Sequence, residues 1–102
     1  MGLLIKGGEI VTATKRWRGD VRCREGKIVE IGNVLDWMPG EELVDAGDLL
    51  VMPGGVDSHV HMELPVAGTV SSDDFETGTL AGLAGGTTTI IDFASSSTNR
   101  YK

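Results

Sequence analysis

Short apolar runs separated by glycine pairs mark the first half of the chain. Leu3 to Lys6 and Glu9 to Thr14 flank Gly7-Gly8. Two glycines between apolar runs predict a tight hairpin, because both turn positions can take positive φ. Asp20 to Arg24 and Lys27 to Ile31 flank Glu25-Gly26 and predict a second hairpin. In Val21-Arg22-Cys23-Arg24 apolar and charged positions alternate, the pattern of an antiparallel strand with one face in solvent. Gly32 to Glu42 reads as a loop with a turn at Pro39-Gly40. A further strand over Glu42 to Asp45 closes a small sheet.

The pattern changes near Asp48. Leu49-Leu50-Val51-Met52 is a continuous apolar run, expected of a strand buried on both faces. Pro53-Gly54-Gly55 interrupts it, Val56 to His61 extends it, and a loop follows from Met62 to Ser72. A helix is predicted over Asp74 to Ala84, with Asp73 as N-cap and Glu76 completing a capping-box-like pair. Asp73, Asp74 and Glu76 suit the positive end of the helix dipole. Phe75, Gly78, Thr79, Gly82 and Leu83 can share one face. Each interior glycine costs about 1 kcal/mol relative to alanine, so the pair predicts a close approach to a sheet. Gly85-Gly86 ends the helix, and β-branched Thr87 to Phe93 reads as a second buried strand. Strand, helix and strand make one βαβ unit with parallel, right-handed pairing. The expected organisation is a β-module over residues 1–48 and a βαβ unit over residues 49–102.

Composition narrows the partners. At 102 residues there is room for one small domain at most. A net charge of −6, from 9 basic and 15 acidic residues, argues against nucleic acid, because phosphate binding needs a basic patch. The nearest such patch, Lys15, Arg16 and Arg18, reads as a solvated loop. No apolar run approaches the ~20 residues of a membrane span, so no membrane partner is expected. The N-terminus lacks a charged-then-apolar signal segment, and a cytoplasmic location is the default expectation. Cys23 stands alone, which leaves no disulfide framework and no thiolate metal cluster. It reads as a small, partly buried apolar residue in a strand.

The chemistry concentrates in Pro53-Gly54-Gly55-Val56-Asp57-Ser58-His59-Val60-His61, which holds both histidines of the chain. In an extended backbone, residues two apart point to the same face. Asp57, His59 and His61 then project together, away from Val56, Ser58 and Val60. Two imidazoles spaced ~6.5–7 Å along a strand can converge on one metal if the strand end bends, and the preceding glycines permit a bend. Asp57 can then accept a hydrogen bond from a histidine N–H and fix its tautomer. A bare His-x-His is a weak signal, met more often where one ring bonds a carbonyl and the other faces water. Three features strengthen it here. Both histidines end an apolar strand, that strand opens a βα unit whose C-terminal end is where barrel enzymes place their sites, and Asp57 shares their face.

Gly-x-x-Asp-x-His-x-His, here Gly54 to His61, resembles the first metal-binding motif of the amidohydrolase superfamily. Gly68 to Thr79 and Ala84 to Phe93 look like its hydantoinase and dihydropyrimidinase branch, as do Leu4 to Gly8 and Leu49 to Gly55. The resemblance runs to about Ala94 and implies an α/β fold. The chain would be the N-terminal part of a (β/α)₈ TIM-like barrel hydrolase, with part of a composite β-sandwich built from both chain ends. It implies two zinc ions bridged by hydroxide and a carboxylated lysine, with His59 and His61 on the more buried zinc. The activity implied is hydrolysis of a small-molecule cyclic amide, with an N-carbamoyl amino acid as product and a homotetramer as the assembly. Met62-Glu63-Leu64-Pro65-Val66 matches the loop that in such enzymes shapes the substrate pocket. Leu64, Pro65 and Val66 are read either as apolar substrate contacts or as an exposed loop with one or two anchors. Glu63 reads as solvated, and Asp92 either as a hydrogen-bonding group of the site or as a structural residue.

The sequence also departs from that pattern. No histidine follows His61, and Lys6, Lys15, Lys27 and Lys102 all stand away from the bridging-lysine position. A catalytic zinc usually takes about three protein ligands, so these residues alone are expected to bind metal weakly and to hydrolyse nothing. The polar stretch Ser95 to Lys102 stops matching the family. Allantoinase and dihydroorotase share the histidine motif, with a more polar or basic substrate loop expected. A non-catalytic assembly protein related to dihydropyrimidinase is a third reading, against which both histidines stand.

Overall fold

In the computed structural model, which describes residues 1–93, the first apolar stretch continues through Gly7-Gly8 as one strand, β1 (Gly2–Val11). β2 (Arg16–Arg24) runs antiparallel beside it, with a register shift between Ile5 and Gly8. Gly7 sits at φ +70°. The glycine pair therefore makes a β-bulge, not the expected hairpin turn. Its physical cause is lateral pairing. Gly7 N–H donates to Asp20 Oδ1 at 2.7 Å, tying the bulge to β2. A Cβ on Gly8 would collide with the Val51 side chain, so bare backbone there lets a neighbouring segment close in. The chain reverses further on, where Thr12 N–H donates to the Lys15 carbonyl at 2.9 Å.

β3 (Lys27–Gly32) returns antiparallel to β2 across Glu25 and Gly26, at φ 48° and 72°. That pair of positive angles is the type I′ hairpin expected from the sequence. β4 (Glu41–Asp45) lies parallel to β1 on its other edge. β5 (Leu50–Val51) then pairs with the same edge at Glu9 and Ile10. The order is β3-β2-β1-β4, with β5 also on β1.

This placement of β5 differs from the expected buried strand over Leu49 to Met52. Leu49, Leu50 and Met52 are 57%, 56% and 59% exposed. The cause is the free edge of β1 beyond β4, where Glu9 N–H donates to the Leu49 carbonyl at 3.0 Å. The chain divides into units Met1–Pro53 and Gly54–Lys102, five residues later than the expected boundary between 48 and 49.

The core of the first unit is formed by Leu4, Ile10, Val21, Leu35 and Ala46. Asp20 and Arg22 are also buried, at 3% and 4% exposure, so the charged face of β2 is covered at these two positions, while Arg24 is exposed as the alternation predicts. Asp20 Oδ2 accepts from Lys6 Nζ and from the Leu35 N–H, both at 2.8 Å. Burial raises the Asp20 pKa. The hydrogen bonds from Lys6, Leu35 N–H and Gly7 N–H outweigh it and hold the carboxyl below its ordinary value. Arg22 donates to Glu41 Oε1 at 2.6 Å, to Glu30 and to the Asp36 carbonyl. The expected basic loop is also resolved differently. Arg16 and Arg18 lie in β2, where Arg16 pairs with both Glu9 oxygens at 3.0 and 2.9 Å and Arg18 donates to the Gly7 carbonyl at 2.7 Å.

The second unit holds β6 (Gly55–Val60), β7 (Pro65–Val66), β8 (Thr69–Val70), α1 (Phe75–Ala84) and β9 (Thr87–Asp92). β6 and β9 pair in parallel with α1 between them, the expected βαβ unit. The expected loop after His61 folds instead as a small hairpin, β7 against β8, turning at Ala67 and Gly68 with φ 48° and 83°. Its strands are only two residues each, too short to show an alternating pattern in the sequence.

The helix N-cap is Asp74, one residue beyond the expected Asp73, and its box partner is Thr77 in place of Glu76. Thr77 N–H donates to Asp74 Oδ1 at 2.7 Å, and Asp74 N–H donates to Thr77 Oγ1 at 3.2 Å. Asp73 is engaged elsewhere, its carbonyl accepting from Glu63 N–H at 2.9 Å. Gly78 is the buried position of α1, with Phe75 and Leu83 at 43% and 56% exposure. The helix glycines, more than its large residues, face inward, and a Cβ on Gly78 would meet Met62 Cε at 2.6 Å. Among the described residues, no helix is long and apolar enough to cross a membrane. The stretch Ser95 to Lys102 lies outside the described residues.

Candidate metal centre

The His-x-His segment sits where β6 ends. Gly54 brings the chain there beside β9, since a Cβ at that position would fall 2.7 Å from Thr88 Cβ. Parallel pairing then runs Val56 with Thr89, Asp57 with Ile90 and Val60 with Asp92. Between the last two pairs β6 advances by one residue more than β9. A bulge there bends the strand and re-aims its side chains, as bulges beside active sites do. Val60 is buried, while Asp57, His59 and His61 are exposed.

The bend brings the two imidazoles together. His59 Nε2 and His61 Nε2 are 3.2 Å apart, and the rings meet edge to face at 78° with centroids 5.1 Å apart. Two Zn–N bonds of ~2.0–2.1 Å at a tetrahedral angle place their nitrogens about 3.3 Å apart. The pair therefore fits two corners of such a centre. The same separation suits one hydrogen shared between a donor and an acceptor nitrogen. Among the described residues, no group of three or more His, Cys, Asp or Glu side chains is placed to hold a metal. The donor set fits as half of a centre.

Asp57 is placed differently from expectation. Its Oδ1 accepts from the backbone N–H of His59 at 3.1 Å, so its hold on the histidine runs through the main chain. The cause is the bulge, which breaks the two-residue alternation that would have aligned its carboxylate with the rings. Ser71 Oγ links the hairpin to this segment, accepting from Leu64 N–H at 2.8 Å and donating to the His61 carbonyl at 3.3 Å. Leu64 is half-buried and Pro65 exposed, and Val66 pairs with Thr69 through the backbone. Asp92 Oδ1 accepts from the Phe93 N–H at 2.7 Å. Asp92 Oδ2 is buried and, among the described residues, has no hydrogen-bond partner.

Sequence reasoning treated Phe93 only as the end of a strand. Its ring lies 4.8 Å from that of His61 at 19° and 5.2 Å from that of His59 at 59°. The available signal was its position after a strand running parallel to the His-x-His strand.

No protein-family model matches the chain. It is 55% identical over 93 residues to dihydropyrimidinase 2 of Caenorhabditis briggsae, covering 91% of this chain and 18% of that protein. It is 53% identical over 93 residues to D-hydantoinase of Geobacillus stearothermophilus, covering 91% of this chain and 20% of that protein. A D-hydantoinase crystal structure superposes with a TM-score of 0.88 at 46% identity, over 95% of this chain and 21% of that one. The chain thus spans about a fifth of the length of the relatives it matches. Its sequence and fold thus match the N-terminal portion of the D-hydantoinase/dihydropyrimidinase branch of the TIM-barrel amidohydrolases.

Proposed function

We propose that this sequence serves a metal-dependent cyclic amidase that opens the ring amide of hydantoins or dihydropyrimidines to give N-carbamoyl amino acids. The observation that carries the reading is the 3.2 Å approach of His59 Nε2 to His61 Nε2 at the end of a parallel strand. These two imidazoles would hold one of two zinc ions, with a carboxylated lysine and further histidines as the remaining ligands. Bound metal supplies an acidified water and polarises the amide carbonyl.

The chain's own part is positional. The bulge in β6 aims the two rings, and Asp57 fixes the His59 backbone through its amide. The β7–β8 hairpin, tied to His61 by Ser71, sets Leu64 and Pro65 as a wall toward the substrate's exocyclic group. Residues 1–53 contribute strands to a composite β-sandwich. Zinc suits imidazole ligands.

The test is zinc content and ring opening of dihydrouracil and 5-substituted hydantoins by the intact gene product. His59→Ala and His61→Ala are each expected to lower metal content and to reduce the rate by more than about 100-fold, beyond the usual effect of losing a partner behind the ligands. A metal-free, inactive gene product overturns the proposal. Faster turnover of allantoin or dihydroorotate redirects it.

A further inference from the structure

We propose that Phe93 is a positioning residue for the histidine pair, its ring packing on both imidazoles and holding their Nε2 atoms toward one point. The inference rests on the metal reading above and adds a residue to it. Both histidines are exposed, and His59 lies within the bulge. An exposed imidazole chooses among staggered χ1 wells and a broad χ2 range, so two unrestrained rings seldom converge. Phe93 removes much of that choice. The last β6–β9 pair is Val60 with Asp92, which sets Phe93 beside His61. Asp92 Oδ1 accepts the Phe93 N–H at 2.7 Å and fixes the local chain direction.

The Phe93 ring then lies nearly flat on His61, at 19° with centroids 4.8 Å apart. It also meets His59 at 5.2 Å and 59°. One side chain therefore contacts both rings and leaves their Nε2 edges turned toward each other. Rings ordered before binding leave less ordering for a metal to impose.

The experiment uses the full chain. In the metal-free protein, the His61 ring protons are expected upfield of those of an exposed histidine, and Phe93→Leu returns them toward that position. Co²⁺ titration, followed by its visible absorption, is expected to show binding about three- to tenfold weaker in Phe93→Leu, the scale of one or two aromatic contacts. Phe93→Tyr keeps a flat ring and is expected to bind as the parent chain does. Circular dichroism of both variants separates a lost contact from a lost fold.

Unshifted His61 protons in the parent chain overturn the stack. Equal Co²⁺ affinity in a folded Phe93→Leu overturns the positioning role. Co²⁺ affinity unchanged by both His59→Ala and His61→Ala overturns the metal reading and Phe93's part in it. The ring-proton shifts still report the stack by themselves in that case.

Discussion

At the scale of single residues, the buried charges of the first unit carry more of the structure than the alternation of β2 suggests. Asp20 accepts from Gly7 N–H, Leu35 N–H and Lys6 Nζ. Asp20→Ala strands two backbone donors, each costing about 1–3 kcal/mol when left unpaired. Urea unfolding at neutral pH is expected to show a loss of at least about 2 kcal/mol, and a loss below about 0.5 kcal/mol contradicts the anchoring role. The folded pKa of Asp20 is depressed. Its contribution is therefore present above the unfolded value of about 3.9 and is lost as pH falls through the lower, folded value. Acid titration of stability is expected to be shallower in Asp20→Asn than in the parent chain. The histidine pair was legible because its spacing and setting are chemical signals. The burial of Arg22 was not, because Glu41, Glu30 and the Asp36 carbonyl reach it from distant positions.

At the scale of elements, sequence pattern located most strands and the helix, and it erred where glycine serves packing. Gly7-Gly8 looked like a turn and is a bulge, because an edge pairing decides it and local propensity does not. Gly54 shows the same use, since its missing Cβ admits Thr88. Gly54→Ala is expected to cost about 1–3 kcal/mol as overpacking and to weaken metal binding by moving β6 against β9. Thermal melts with a Co²⁺ titration check both effects, and an unchanged melt contradicts the close approach. The helix cap gives a second contrast. Asp74→Ala is expected to lower the melting temperature more than Asp73→Ala, because the Asp74 carboxylate accepts the Thr77 N–H of the capping box. Equal effects contradict the observed cap. The sequence offered two adjacent aspartates, and only the carbonyl of Asp73, held by Glu63 N–H, separates them.

At the scale of the whole molecule, each unit leaves sheet edges open among the described residues. β6 and β9 form a sheet of two strands, and Val56, Ile91 and Phe93 are 64%, 54% and 50% exposed. The family resemblance was legible because it lies in ordered text around the histidines. The completing ligands were not, because no histidine follows His61 and no lysine stands at the bridging position. The central claim is that His59 and His61 bind the same metal ion. Zinc-edge X-ray absorption of the zinc-loaded chain tests it most directly. Two imidazole nitrogens per zinc at ~2.0–2.1 Å, lost in either histidine-to-alanine variant, is the expected result. A spectrum without imidazole scattering, or one dominated by a sulfur at ~2.3 Å from Cys23, contradicts it.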